Sequence, residues 1–275
     1  MERTWFITGI SSGFGRIMAE QLLERGDRVA GTVRRLDAAG GLKARHGDNL
    51  SVLHLDVTDT AEVRKVVDAA FARFGRIDVV VNNAGYGLFG AAEELTDEQI
   101  TDEIDTNLIG SIQVVRAALP HLRAQGGGRL IQISTVGGQA AFPGGSLYHA
   151  SKWGIEGFME AVMQEVAVFN IGVTIVEPGG ARTEFRYGSS KLSPKLSAYD
   201  ASPARNVHRM IEAGTAVPLG DPARMAAHII ASADQHPAPL RLALGSDAYR
   251  AMHKALTDRL ALLESQEALA ASTDG

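Results

Sequence analysis

The 275-residue chain is 45% hydrophobic and 21% charged with a mean hydropathy of −0.01, the balance of an ordinary globular protein long enough to bury a full core. Its formal charge of −5 repels phosphate backbones and argues against a nucleic-acid partner. No apolar run reaches the ~18–20 residues of a membrane span, and the absence of cysteine excludes disulfides, thiolate catalysis and cysteine-ligated metals.

Strand-like sequence begins at Thr4, which leaves no space for a signal peptide, so a cytoplasmic location is expected. From there, short β-branched runs alternate with longer amphipathic ones. TWFIT (4–8), RVAGTV (28–33), LSVLHLDV (50–57), IDVVVNN (77–83), GRLIQIS (128–134) and GVTIVEP (172–178) read as strands. Several are almost continuously apolar, as strands become when helices cover both faces of a parallel sheet. GRIMAEQLLERG, AEVRKVVDAAFARFG and SIQVVRAALPHLRAQG carry apolar residues at helical spacing, and each ends in glycine, a common helix stop. The alternation predicts βαβ units in a doubly wound α/β sheet, whose ligands sit at the carboxyl ends of the strands.

Residues 179–220 are rich in Gly, Pro, Ser and charge, and suggest a lid or binding loop with one or two short helices. Regular pattern then returns with a helix (DPARMAAHIIASA), a seventh strand (LRLALG), a closing helix (SDAYRAMHKALTDRLALLESQ) and a tail, ALAASTDG, expected to fray. No repeat or linker divides the chain. Residues 1–275 are therefore expected to form a single domain, with a covering loop at about 184–220.

The junction of the first strand and helix reads TGISSGFG, residues 8–15. Gly9 can adopt backbone angles closed to other residues, and Gly13 and Gly15 let the helix begin close to a ligand and to the sheet. Backbone N–H groups there, at the positive end of the helix, suit a pyrophosphate. Alone, such a turn is equally a tight connection.

Further motifs follow in order: NNAG (82–85), Asn107 in DTNLIGS, ISTVGG (133–138), YHASK (148–152) and PGGART (178–183). With the glycine loop they make residues 4 to about 183 resemble the short-chain dehydrogenase/reductase family, in its shorter single-domain branch. The resemblance implies a Rossmann-type sheet of about seven parallel strands and hydride transfer with a nicotinamide cofactor. It implies cofactor contacts from Gly9, Ser11, Ser12, Gly13, Phe14 and Gly15, from Asp56 and Val57 at the adenine, and from Asn83, Ala84 and Gly85 at the adenosine ribose. Pro178 and Gly179 would wall the nicotinamide, and Thr183 would reach its carboxamide or the phosphates.

Tyr148 and Lys152 lie four residues apart, which stacks them on one helix face. A free phenol has a pKa near ~10, and an adjacent ammonium favours phenolate. Tyr148 is thus expected as the acid/base of a carbonyl–alcohol interconversion, with Lys152 as the group that lowers it. The resemblance adds that Lys152 and Tyr148 contact the nicotinamide ribose and that Asn107 belongs to a water-linked proton relay. The family places serine thirteen positions before the tyrosine; this chain has Thr135 there. Threonine keeps the hydroxyl but restricts χ1, so Thr135 is assigned to the substrate oxygen, with Ser134 as fallback. His149 points about a quarter-turn from Tyr148 and reads as packing or surface.

The second strand ends GTVRR. Val33 occupies the position where NAD-preferring relatives carry an acidic residue, and Arg34 follows, which favours the 2′-phosphate of NADP(H) over NAD(H). The alternative reading of Arg34 and Arg35 is as solvated surface charges. FPGGSLYHASKWGIEGF and RLALGSDAY resemble a branch near hydroxysteroid and retinol dehydrogenases, which implies an apolar carbonyl or secondary alcohol. Phe185, Tyr187, Leu192, Leu196 and Tyr199 would cover such a ligand. Eight scattered histidines without paired spacing indicate no metal site. Relatives pair through their long helices, so a homodimer or homotetramer is expected. Two other readings stand beside the enzyme: a non-catalytic NADP(H)-binding redox sensor, and a nucleotide-sugar epimerase or dehydratase, whose glycine spacing and larger C-terminal region differ from this chain.

Overall fold

The computed structural model describes residues 2–214 and 218–275. Its first half runs β1 (Thr4–Ile7), α1 (Gly13–Glu24), β2 (Arg28–Val33), α2 (Leu42–His46), β3 (Leu50–His54), α3 (Thr60–Phe74), β4 (Val79–Asn82), β5 (Leu88–Phe89), α4 (Asp97–Ile104) and α5 (Gly110–Ala124). The second half adds β6 (Gly128–Ile133), α6 (Ser146–Val166), β7 (Ile171–Pro178), β8 (Lys191–Leu192), α7 (Arg205–Glu212), α8 (Pro222–Ser232), β9 (Arg241–Leu244), α9 (Ser246–Glu264) and α10 (Glu267–Ala271).

Seven strands form one sheet in the order β3-β2-β1-β4-β6-β7-β9, and every neighbouring pair is parallel. This is a Rossmann-type α/β fold. Strand parity builds the two cores. Trp5, Ile7, Val79 and Val81 face Met18 and Leu22 of α1 and Ile229 of α8, while Phe6 and Val80 face Val114 of α5 and Ile155 of α6. Because both faces are buried, the strands carry no polar alternation; each fully buried aliphatic or aromatic side chain contributes on the order of 1.5–3 kcal/mol. Winding reverses between β1 and β4, which opens a crevice at their carboxyl ends.

Glycine stops work as the sequence suggests: Gly26, Gly75 and Gly126, just past α1, α3 and α5, have φ of 91°, 72° and 85°. Three features lie outside the sequence expectations. The TDEQ segment forms α4, capped by reciprocal Thr96–Gln99 bonds, and α4 joins α5 through a π turn at Asp105–Ile109. Leu88 and Phe89 pair with Lys191 and Leu192 in a small second sheet. The tail, expected to fray, carries α10, although every residue of that helix is exposed.

Part of the 184–220 segment is tied down by a buried ion pair. Arg205 of α7 meets Glu94, whose carboxylate also accepts from the Leu196 and Ala91 amides at 2.9 Å each. Burial opposes the Glu94 charge, but these hydrogen bonds and Arg205 prevail and hold its pKa down at about 2. No helix among the described residues is long and apolar enough to cross a membrane.

Candidate active site

The crevice between β1 and β4 is shaped by backbone. Thr8, at the end of β1, is buried, and its hydroxyl accepts from the Asn83 and Ala84 amides at 2.9 and 3.0 Å, clamping the two strand ends together. Asn83 Nδ2 donates to the Thr8 and Gly9 carbonyls, both at 2.9 Å. Gly9 and Gly13 turn with φ of 73° and 57°. A Cβ on Gly15 would lie 2.2 Å from the Gly9 carbonyl oxygen and 2.4 Å from Asn83 Nδ2, so only glycine fits where α1 starts. Ser12 precedes that helix without a side-chain cap, and no acidic residue sits in the first turn. The first amides are therefore free of internal carboxylate competition, and Ser11 and Ser12 are exposed beside them.

At the neighbouring strand ends, Asp56 accepts from the Thr58 amide and hydroxyl at 3.0 and 2.8 Å. Burial opposes the Asp56 charge, but the Thr58 bonds and the charges of Arg34 and His54 outweigh it and leave the carboxyl below its usual range. Arg34 is exposed, while Arg35 is paired with Asp37 at 2.7 Å. Val57 is buried, and Gly85 packs close to Asn107: a Cβ there would come within 2.9 Å of Asn107 Oδ1. Beyond β7, Gly179 donates to the Leu244 carbonyl and Gly180 to Asp247 Oδ2, both at 2.8 Å. A Cβ on Gly179 would strike the Asp247 carboxylate. Asp247, at the start of α9, fixes this wall and was not singled out from sequence. Thr183 turns on itself, its hydroxyl accepting from the Phe185 amide at 3.3 Å.

The opposite wall is made of side chains. Tyr148, in the first turn of α6, is buried with its ring 5.6 Å from Phe89 and 5.9 Å from Phe185. Its hydroxyl faces Thr135, whose hydroxyl favours the phenolate. Thr135 Oγ1 also accepts from the Gly137 amide at 3.3 Å and lies 3.5 Å from the Pro178 carbonyl. Ser134 is turned the other way, into a hydrogen bond with Glu156. Thr135 therefore faces the phenol while Ser134 faces away from it, since the strand end points adjacent side chains to opposite sides. His149 is buried with both ring nitrogens engaged, Nδ1 to the Gly137 carbonyl at 2.8 Å and Nε2 to the Phe142 amide at 3.0 Å. It laces the loop after β6 onto α6. Trp153, exposed beside it, donates Nε1 to the same carbonyl at 2.9 Å.

Lys152 is buried, donates to the Ile133 carbonyl at 3.0 Å, and lies 5.9 Å from the centre of the Tyr148 ring. The electrostatics correct the expectation that Lys152 brings the phenol down. Burial is the main influence on Tyr148 and pushes it above its ordinary value, Glu103 adds to the rise, and only the Thr135 hydrogen bond opposes. Burial likewise pushes Lys152 down to about 8, against the charges of Glu156 and Glu103. Both groups thus lean towards their neutral forms in a dry pocket.

Asn107 sits in the π turn, buried. Its Nδ2 donates to the Tyr86 carbonyl at 2.8 Å and to Ser151 Oγ at 3.3 Å, and its Oδ1 accepts from the Tyr86 amide at 3.0 Å. The π turn widens the helix by one residue per turn and aims this amide at the loop after β4. Of the residues expected to cover a ligand, Phe185 reaches Tyr148 and Leu192 pairs with Phe89, whereas Leu196 is exposed and Tyr199 bonds Glu93 at 2.9 Å. The Tyr187 side chain lies outside the described residues. Phe89 and Glu103 contribute to the pocket and were not singled out from sequence.

Comparison with known proteins agrees with this arrangement. Residues 3–192 match the model for short chain dehydrogenases. An oxidoreductase of Botryotinia fuckeliana, BOA17, is 36% identical over 256 residues, covering 93% of each chain. A short-chain dehydrogenase from Streptomyces avermitilis superposes with a TM-score of 0.92 at 40% identity, covering 99% of this chain and 98% of that one. ElxO, solved with NADP bound, superposes with a TM-score of 0.74 at 25% identity, over 89% of this chain and 97% of that one. The crevice, the Tyr148 pocket and these relatives together place the chain in the short-chain dehydrogenase/reductase family of oxidoreductases.

Proposed function

We propose that the protein transfers hydride between NADP(H) and an apolar carbonyl or secondary alcohol. The nicotinamide cofactor supplies or accepts the hydride when bound. Every other task falls to residues of this chain. The uncapped first turn of α1, with Gly9, Ser11, Ser12, Gly13, Phe14 and Gly15, receives the pyrophosphate. Gly15 and Gly179 are held to glycine by close packing on the Gly9 carbonyl and the Asp247 carboxylate, which fixes the two backbone walls between which such a ligand would lie. Asp56 and Val57 flank the adenine; Asn83, Ala84 and Gly85 form the ribose turn; Pro178, Gly179 and Thr183 line the nicotinamide end.

Thr135 holds the substrate oxygen and Tyr148 gives it a proton in reduction, or takes one in oxidation. Lys152 binds the nicotinamide ribose and supplies positive charge beside the phenol once that ribose is in place. Asn107 keeps the proton route behind Lys152 ordered. The Thr135 hydroxyl facing the buried Tyr148 phenol beneath Phe89 and Phe185 carries this reading, because it pairs an acid/base group with an oxygen-holding group inside an apolar enclosure. That same enclosure, with the segment from about 184 to 220 as its cover, favours an apolar substrate. The exposed Arg34 guanidinium at the end of β2 supports NADP(H) by offering a partner for the 2′-phosphate.

The test is a panel of apolar and polar carbonyls assayed by absorbance with NADPH and with NADH. Turnover of apolar ketones or aldehydes, faster with NADPH, is expected. Tight NADPH binding with no turnover of any carbonyl would favour a non-catalytic redox sensor instead.

A further inference from the structure

Behind Lys152 lies a carboxyl that the proposed reaction does not use. Glu103 is fully buried near the end of α4, one helical turn before Asn107. Its Oε1 accepts from the Leu88 amide at 3.0 Å and faces Asn107 Nδ2 at 3.4 Å. Its Oε2 is buried with no hydrogen-bond partner among the described residues. A carboxyl retained only to anchor the Leu88 amide needs one acceptor oxygen, which glutamine would supply without the cost of burying an acid. The second oxygen is thus left over from any structural account.

Its surroundings are those of a group coupled to the reacting pair. From α6 it faces Lys152 and Tyr148, from β8 Lys191, and from the loop after β4 Tyr86, whose hydroxyl is also buried with no hydrogen-bond partner among the described residues. Lys191 is divided between Asp102 at 3.8 Å and the face of the Tyr86 ring at 4.7 Å. Asn107, which touches Glu103, Ser151 and Tyr86, is the polar bridge between this carboxyl and α6.

We propose that Glu103 is a positioning residue for the oxidoreduction proposed above: bridged through Asn107, its carboxyl takes up and releases a proton and so sets the pH range over which Lys152 keeps its charge. The inference rests on the oxidoreductase reading. Burial raises Glu103 to about 7, against the Leu88 hydrogen bond and the charges of Lys152 and Lys191, while Lys152 stands at about 8. As pH rises Glu103 ionises first, and its new negative charge adds to that of Glu156 in raising Lys152, holding the ammonium in place over the range where Glu156 alone would lose it. Removing the carboxylate has the opposite sign: Lys152 then loses its proton at lower pH.

The experiment is the pH profile of NADPH-dependent carbonyl reduction in the wild type, Glu103→Gln and Glu103→Asp, with infrared titration of buried carboxyl groups alongside. Glu103→Gln should move the alkaline limb of kcat acidward by about one pH unit, the size expected of a nearby buried charge. Glu103→Asp should return it part of the way. The wild type should show a protonated-carboxyl band that fades across neutral pH and is missing in Glu103→Gln. Superimposable profiles, or a Glu103 band that fades in the ordinary acidic carboxylate range, overturn the inference alone. A wild type without carbonyl turnover at any pH overturns the oxidoreductase reading and this inference with it. Should Glu103→Gln fail to fold, the displaced alkaline limb of Glu103→Asp and the wild-type infrared titration decide the matter.

Discussion

The glycine crevice and the Tyr148 pocket open at the same end of one sheet but are built from different material. The crevice is backbone: the Thr8 clamp, the turn at Gly9 and the uncapped first turn of α1, with Ser11 and Ser12 exposed at its rim. The pocket is side chain: Phe89 and Phe185 pack on the buried Tyr148, and among the described residues the Thr135 hydroxyl answers the phenol. Backbone amides offer a charge pattern that does not titrate. A dry phenol and a dry amine instead have protonation states governed by whatever enters the pocket. The difference suggests that one region holds and the other reacts, and that changes in each should move different observables.

Short of changing Tyr148 itself, removing the Thr135 hydroxyl should have the largest effect. Thr135→Val keeps the branched shape, yet kcat/KM for carbonyl reduction should fall about 100- to 1000-fold, as when one transition-state hydrogen-bond donor is lost. NADPH affinity, followed by quenching of protein fluorescence, should hardly change. A matched loss of affinity would erase the division between the two regions. On the other side, Gly15→Ala places a methyl 2.2 Å from the Gly9 carbonyl oxygen, and the overpacked turn should weaken NADPH binding about 100-fold. If binding survives at wild-type strength, the crevice is not the nucleotide site. Arg34→Ala should give the smallest change, about a tenfold loss of NADPH affinity against little for NADH. Equal losses for both cofactors would remove Arg34 from the 2′-phosphate.

The same contrast explains what could be read in advance. The turn from Thr8 to Gly15 and the four-residue step from Tyr148 to Lys152 are local patterns, and strand or helix periodicity converts them directly into geometry. The two sheet-facing cores are equally legible, since strand parity sorts Trp5 from Phe6. The pocket's character is not local. Phe89 comes to Tyr148 from β5, and Phe185 from the turn before β8, two short strands whose pairing joins residues about a hundred positions apart. Glu103 reads in sequence as one more charge on an amphipathic helix, and only the packing of α4 against α6 and β5 buries it. Asp247 closes the Gly179 wall from the far end of the chain. The sign of the Tyr148 shift is equally non-local: spacing places Lys152 nearby, but burial and Glu103 push the phenol up.

The central claim is that Tyr148 moves the proton while the crevice holds the nucleotide independently. Single-turnover reduction of a substrate by Tyr148→Phe, with NADPH affinity measured on the same sample, tests it most directly. The account predicts hydride transfer slowed by about a thousandfold or more with NADPH affinity within about twofold of wild type. Near-normal transfer in that variant would contradict it.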